Sequence, residues 1–138
     1  MITVLTGAKI NMGDFLITER CQALLREHLP GEELNVLPHW EPLDDHLEAV
    51  NGGRAIVIMG GPGFQPGFYP GVYKLTADLG RIRVPIVPMG LGWKGFPGDR
   101  ETVRSYRFTP ASLAALRRIS AETPYLGCRD HLTCEVLR

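Results

Sequence analysis

Ala55-Ile56-Val57-Ile58-Met59-Gly60-Gly61-Pro62-Gly63 is a run of five apolar residues that ends in a glycine-rich break. A strand with no polar alternation is one covered on both faces, as in the middle of a parallel sheet. Glycines directly after such a strand let a ligand approach the backbone with no Cβ in the way. Towards the N-terminus, Ile2-Thr3-Val4-Leu5 reads as a first strand, and Phe15, Ile17, Cys21, Leu24 and Leu25 recur at close to helical spacing. Between them Asn11-Met12-Gly13-Asp14 turns the chain at the carboxyl end of a strand, where open α/β sheets bind their ligands. Glu33 to Leu37 alternates polar and apolar like an edge strand, and Leu43 to Val50 reads as a short helix stopped by Asn51-Gly52-Gly53.

Towards the C-terminus the spacing predicts a helix from about Val72 to Leu79, closed by Gly80, and a fourth strand at Pro85-Ile86-Val87-Pro88-Met89. Thr109-Pro110 is a cap followed by proline at the first helical position, with Leu113, Leu116 and Ile119 as the expected apolar stripe. Tyr125-Leu126-Gly127-Cys128 reads as a fifth strand, and Asp130 as the cap of a last helix running to Arg138. Strands alternating with helices imply a doubly wound, mainly parallel, Rossmann-like α/β sheet of about five strands in a single domain, residues 1–138. A central third strand and an edge second strand favour the order 2-1-3-4-5, so that the loops after strands one and three meet at the switch point.

Fifteen basic residues balance fifteen acidic ones, which argues against nucleic acid as a partner and for a small polar substrate or a protein. No apolar run approaches the roughly 20 residues of a membrane span, and the chain opens on a strand instead of a signal core, so a cytoplasmic protein without a transmembrane segment is expected. Cys21, Cys128 and Cys134 form no CxxC pair, and His28, His39, His46 and His131 have no paired spacing. Neither a metal nor another cofactor is expected.

Gly90-Leu91-Gly92-Trp93-Lys94-Gly95 matches GxGxxG literally, but Phe96-Pro97-Gly98-Asp99 continues a loop where a dinucleotide site needs a helix. The segment from Trp93 to Phe108 reads as one long loop that mixes Lys94, Arg100, Arg104 and Arg107 with aromatic residues, a combination suited to sugars and phosphates and equally to a solvated cover. Arg129-Asp130 suits either an anion or an ion pair locking two loops. Asp14 suits either a ligand or the cap of the first helix.

Taken in order, Asn11-Met12-Gly13-Asp14, Ala55 to Gly61, Pro85 to Gly92, and Cys128-Arg129-Asp130 with Thr133 resemble the motifs of the polysaccharide pyruvyl transferase family. The correspondence extends over nearly the whole chain. Proline at Pro62 replaces the family's third consecutive glycine, and Thr133 replaces its usual serine. The resemblance implies transfer of a pyruvyl group from phosphoenolpyruvate to hydroxyls of a sugar on a cell-surface glycan or its precursor, as in exopolysaccharide biosynthesis. It implies two Rossmann-like lobes, of which this chain matches the N-terminal one, leaving the second lobe absent or supplied by a partner chain. It implies Asp14 as catalytic base, with Asn11, Gly13, Gly60, Gly61, Gly90, Gly92, Arg129 and Asp130 as substrate-binding residues, Arg129 near the donor anion. A noncatalytic binding module, a truncated fragment and one lobe of a nucleotide-sugar glycosyltransferase stand as alternatives, so an enzymatic role for the chain alone stays open.

Overall fold

In the computed structural model, which describes residues 1–138, the strands β1 (Ile2–Thr6), β2 (Leu34–Pro38), β3 (Ile56–Phe64), β4 (Ile86–Trp93) and β5 (Gly127–Cys128) form one all-parallel sheet of order β2-β1-β3-β4-β5. The expected order and the edge position of β2 are both found. The connections carry α1 (Met12–His28), α2 (Leu47–Gly52), α3 (Arg100–Ser105) and α4 (Pro110–Glu122), and α5 (His131–Val136) follows β5. Together they make a single α/β domain, consistent with a Rossmann-like fold.

The two faces of the sheet are covered unequally. Alternate β3 residues Ile56 and Ile58 enter a core of 20 buried residues, shared with Phe64, Phe68, Leu91 and Ile119. Their neighbours Val57 and Met59 face α1 in a core of 5 buried residues with Ile2, Val4 and Cys21. Of the expected α1 stripe, Cys21 is buried and Ile17 and Leu25 pack beside it, whereas Phe15 is 47% exposed. A single helix lies over that face, so its outer flank stays wet.

Three expectations need correction. The segment from Val72 to Leu79 is not a helix: a wide turn spans Phe68–Val72, residues 73–76 are irregular, and a 3-10 turn spans Leu79–Arg81. Tertiary hydrogen bonds decide this, because the Lys74 N–H donates to the His39 carbonyl (3.0 Å) and the Leu43 N–H to the Leu75 carbonyl (2.6 Å). Satisfied that way, the backbone needs no helix, while Tyr73 and Leu75 are buried on either side of exposed Lys74. The α4 stripe is also shifted, to Ser112, Ala115 and Ile119, with Leu113 38% exposed. Small residues let α4 approach the Phe68–Val72 turn, where the Ser112 hydroxyl donates to the Tyr69 carbonyl (3.1 Å) and accepts from the Tyr69 N–H (3.1 Å).

The third correction bears on function. The glycine clusters after the third and fourth strands are not loops, because β3 and β4 stay paired through them, Gly61 opposite Leu91 and Phe64 opposite Trp93. Between those pairs the register shifts, a bulge that bends the strands beyond the sheet proper. No helix opens at Gly90 to Gly95; α3 begins only at Arg100, capped by the Asp99 side chain. That capped helix occupies part of the segment expected to be a long loop, and the Tyr106 hydroxyl ties it back to the carbonyls of Phe64 (2.9 Å) and Lys94 (3.0 Å).

Candidate functional site

The carboxyl ends of β1, β2 and β3 converge with the first turn of α1 on a crevice of about 200 Å³, lined among others by Gly7, Asp14, Thr18, His39, Gly60, Gly61 and Tyr73. This is the meeting of the first and third strand ends that the sheet order implies. The turn after β1 is shaped by a relay of hydroxyls. The Ala8 N–H donates to Thr6 Oγ1 (3.0 Å), which is 2.7 Å from Thr18 Oγ1, and Thr18 Oγ1 donates to the Asp14 carbonyl (2.8 Å). Since Thr18 spends its proton on that carbonyl, Thr6 is the donor between the two hydroxyls.

Asn11, not Asp14, caps α1: its Oδ1 accepts from the Gly13 N–H at 2.9 Å. The cap leaves the half-buried Asp14 carboxylate without a hydrogen bond or ion pair in the chain, on the crevice wall in the positive first turn of a helix. Asn11 and Gly13 lie outside the crevice lining, so among the expected residues the crevice brings together Asp14, Gly60 and Gly61. Gly60 has φ +21° and faces Ile17, whose Cγ2 would lie 2.5 Å from a Cβ placed there. The absent side chain is what lets α1 close against β3.

Arg129 and Asp130 stand apart, across Pro62, which borders both the crevice and a shallower depression lined by Lys94, Arg129, Asp130 and His131. Asp130 does cap α5, its Oδ1 accepting from the Thr133 N–H (2.8 Å) and hydroxyl (3.0 Å). These bonds, the backbone one foremost, hold its carboxyl below the usual carboxylate range. The buried Thr133 hydroxyl accepts in turn from the Trp93 N–H (3.0 Å), fixing α5 to the end of β4. Arg129 is held only loosely by Asp130, at 3.7 Å, and half its side chain is in solvent. Gly92 lies under it, since a Cβ there would meet the guanidinium carbon at 2.7 Å. Gly90 belongs to a third hollow, mostly apolar, which shares Gly60 and Gly61 with the crevice and Arg129 with the depression.

The crevice also holds residues that the sequence reading missed. His39 follows β2 directly, and its position at the end of a strand next to β1 was the available signal. Tyr73 lay inside the segment read as a helix and carried no signal. Cys21 is buried and Cys128 and Cys134 half-buried; burial and the neighbouring Cys134 push the Cys128 thiol up to about 11. No three His, Cys, Asp or Glu side chains gather in a way that could hold a metal.

Among known proteins, the family model described as polysaccharide pyruvyl transferase matches residues 11–138. No curated protein and no solved structure matches the chain.

Proposed function

The chain belongs to the polysaccharide pyruvyl transferase family, and from that premise we propose that it holds the acceptor sugar in the crevice at Asp14 and the anion of phosphoenolpyruvate in the depression at Arg129. The observation that carries this is the unpaired Asp14 carboxylate on one side of Pro62 with Lys94, Arg129 and His131 on the other. A carboxylate suits sugar hydroxyls, and a guanidinium with cationic neighbours suits phosphate and carboxylate.

Ketal formation adds two hydroxyl oxygens to C2 of phosphoenolpyruvate. One hydroxyl proton ends on C3, which becomes the methyl group; the other leaves with inorganic phosphate. Asp14 is the proposed base for the attacking hydroxyl, and the Arg129 region steadies charge on the departing phosphate. Asn11 and Gly13 present Asp14, Gly60 and Gly61 give the acceptor backbone to lie against, Gly92 leaves room for Arg129 and Gly90 lines the hollow beside it, and Asp130 holds the turn that carries it. Both hollows are open to solvent, which suits a lobe that closes against a second lobe or a partner chain. No helix is long and apolar enough to cross a membrane, and a phosphoenolpyruvate donor suits the cytoplasm.

Ligand-observed NMR on the 138-residue chain tests the assignment with phosphoenolpyruvate, methyl hexopyranosides and a nucleotide sugar. Asp14→Asn is expected to abolish only the sugar signal and Arg129→Ala only the phosphoenolpyruvate signal. Binding of the nucleotide sugar alone would favour a glycosyltransferase lobe and sink the proposal.

A further inference from the structure

Two ring polar atoms in the crevice are unused by the fold. The His39 Nδ1 is 2.9 Å from the Val72 carbonyl, which can only accept, so Nδ1 carries the proton and Nε2 of the neutral ring is an acceptor. Nε2 has no partner in the chain and looks across Gly7, where a Cβ would come within 3.2 Å of it. The ring is steadied by Trp40, edge-on at 5.4 Å, and by Tyr73 at 5.0 Å between centroids.

Tyr73 is only 3% exposed, yet its hydroxyl makes no hydrogen bond within the chain. It borders the crevice beside Gly63, where a Cβ would sit 2.2 Å from the phenol oxygen. Burial, and behind it the Asp14 charge, pushes the phenol above its ordinary range, so it stays protonated and has a proton to donate. Its oxygen opens on the crevice, where it can donate to a bound ligand without giving up any bond within the chain.

We infer that His39 Nε2 and the Tyr73 hydroxyl form a second arm of the acceptor crevice, which binds one hydroxyl of a sugar diol while Asp14 binds the other. The inference rests on the acceptor reading above and deepens it, by assigning the residues that hold the second of the two hydroxyls consumed by the ketal. An acceptor nitrogen and a donor hydroxyl on adjoining rings match the proton and the lone pair of one alcohol. Asp14, which as a carboxylate can only accept, takes the hydrogen bond of the next one. A pyruvate ketal consumes such a pair.

The test uses the 138-residue chain, methyl glycosides of galactose, glucose and mannose, and the deoxy analogues of whichever binds. Tyr73→Phe removes only the hydroxyl and keeps the ring, whereas His39→Asn keeps a donor near the Val72 carbonyl and removes Nε2. Each variant is expected to weaken the glycoside about tenfold, the loss of one hydrogen bond of about 1.4 kcal/mol. The analogue lacking the hydroxyl that this arm binds is expected to bind the variant and the parent equally, since both changes remove the same hydrogen bond. Tyr73→Phe is also expected to unfold at the same or a higher urea concentration, since a hydroxyl that served the fold would lower it. Glycoside binding lost in Asp14→Asn but unchanged within twofold in both ring variants overturns the second arm and leaves the acceptor reading standing. No glycoside binding to the parent chain overturns both.

Discussion

Thr3 is a polar residue in a strand otherwise made for burial, and the consequence is visible at a single atom. Its residue is fully buried and its Oγ1 has no hydrogen-bond partner. Valine has the same branched shape without the hydroxyl, so the desolvation cost disappears and the packing is kept. Thr3→Val is expected to stabilise the protein by about 1 kcal/mol, read as a higher urea midpoint at unchanged slope; a lower midpoint would mean that the hydroxyl has a partner. Asn11 and Asp14 divide their roles at the same scale. Either side chain is a legitimate cap from the sequence, and only the turn geometry, with Asn11 Oδ1 2.9 Å from the Gly13 nitrogen, assigns the cap to Asn11. That leaves Asp14 without a structural task.

At the scale of elements, the crevice depends on how closely α1 approaches the bent end of β3. Gly60 is the contact, set against Ile17 in a left-handed backbone conformation. Gly60→Ala adds a methyl where Ile17 Cγ2 would be 2.5 Å away and imposes a φ that alanine adopts poorly. The expected loss is about 2–4 kcal/mol by denaturant unfolding, from overpacking and backbone strain together. Gly52→Ala is the contrast, since nothing lies within 4 Å of its added Cβ; equal losses at the two positions would show that the α1 contact is not tight. The turn at Leu79–Arg81 shows another dependence between elements. Arg118 of α4 donates to the Leu79 and Ile82 carbonyls, the latter at 2.6 Å, and pairs with Glu122 at 2.8 Å. A guanidinium from 39 residues downstream of Leu79 thus satisfies a turn whose own sequence reads as the end of a helix.

For the whole molecule, the inequality of the two sheet faces decides where stability resides. Ile58 and Met59 are adjacent on β3 and nearly equally buried, but Ile58 enters the 20-residue core and Met59 the 5-residue one under α1 alone. A thin layer relaxes into a cavity more readily than a thick one, and the cost of truncation depends on that relaxation. Ile58→Ala is expected to cost about 4 kcal/mol and Met59→Ala about 2 kcal/mol in urea unfolding; the reverse order would place the main core beneath α1. The sequence by itself determined the strand succession, the parallel order with β3 central, the caps at Thr109 and Asp130, and the family, because apolar runs, capping residues and motif order are local properties of the chain. It also marked Asp14, Gly60 and Gly61 for one site, since strand ends in this topology must meet. Only the tertiary structure decided that β3 and β4 run on through their glycines, that residues 73–76 are irregular, and that His39 and Tyr73 join Asp14. Those outcomes depend on hydrogen bonds and packing between distant segments, such as Lys74 to His39 and His39 to Val72, which local pattern cannot encode.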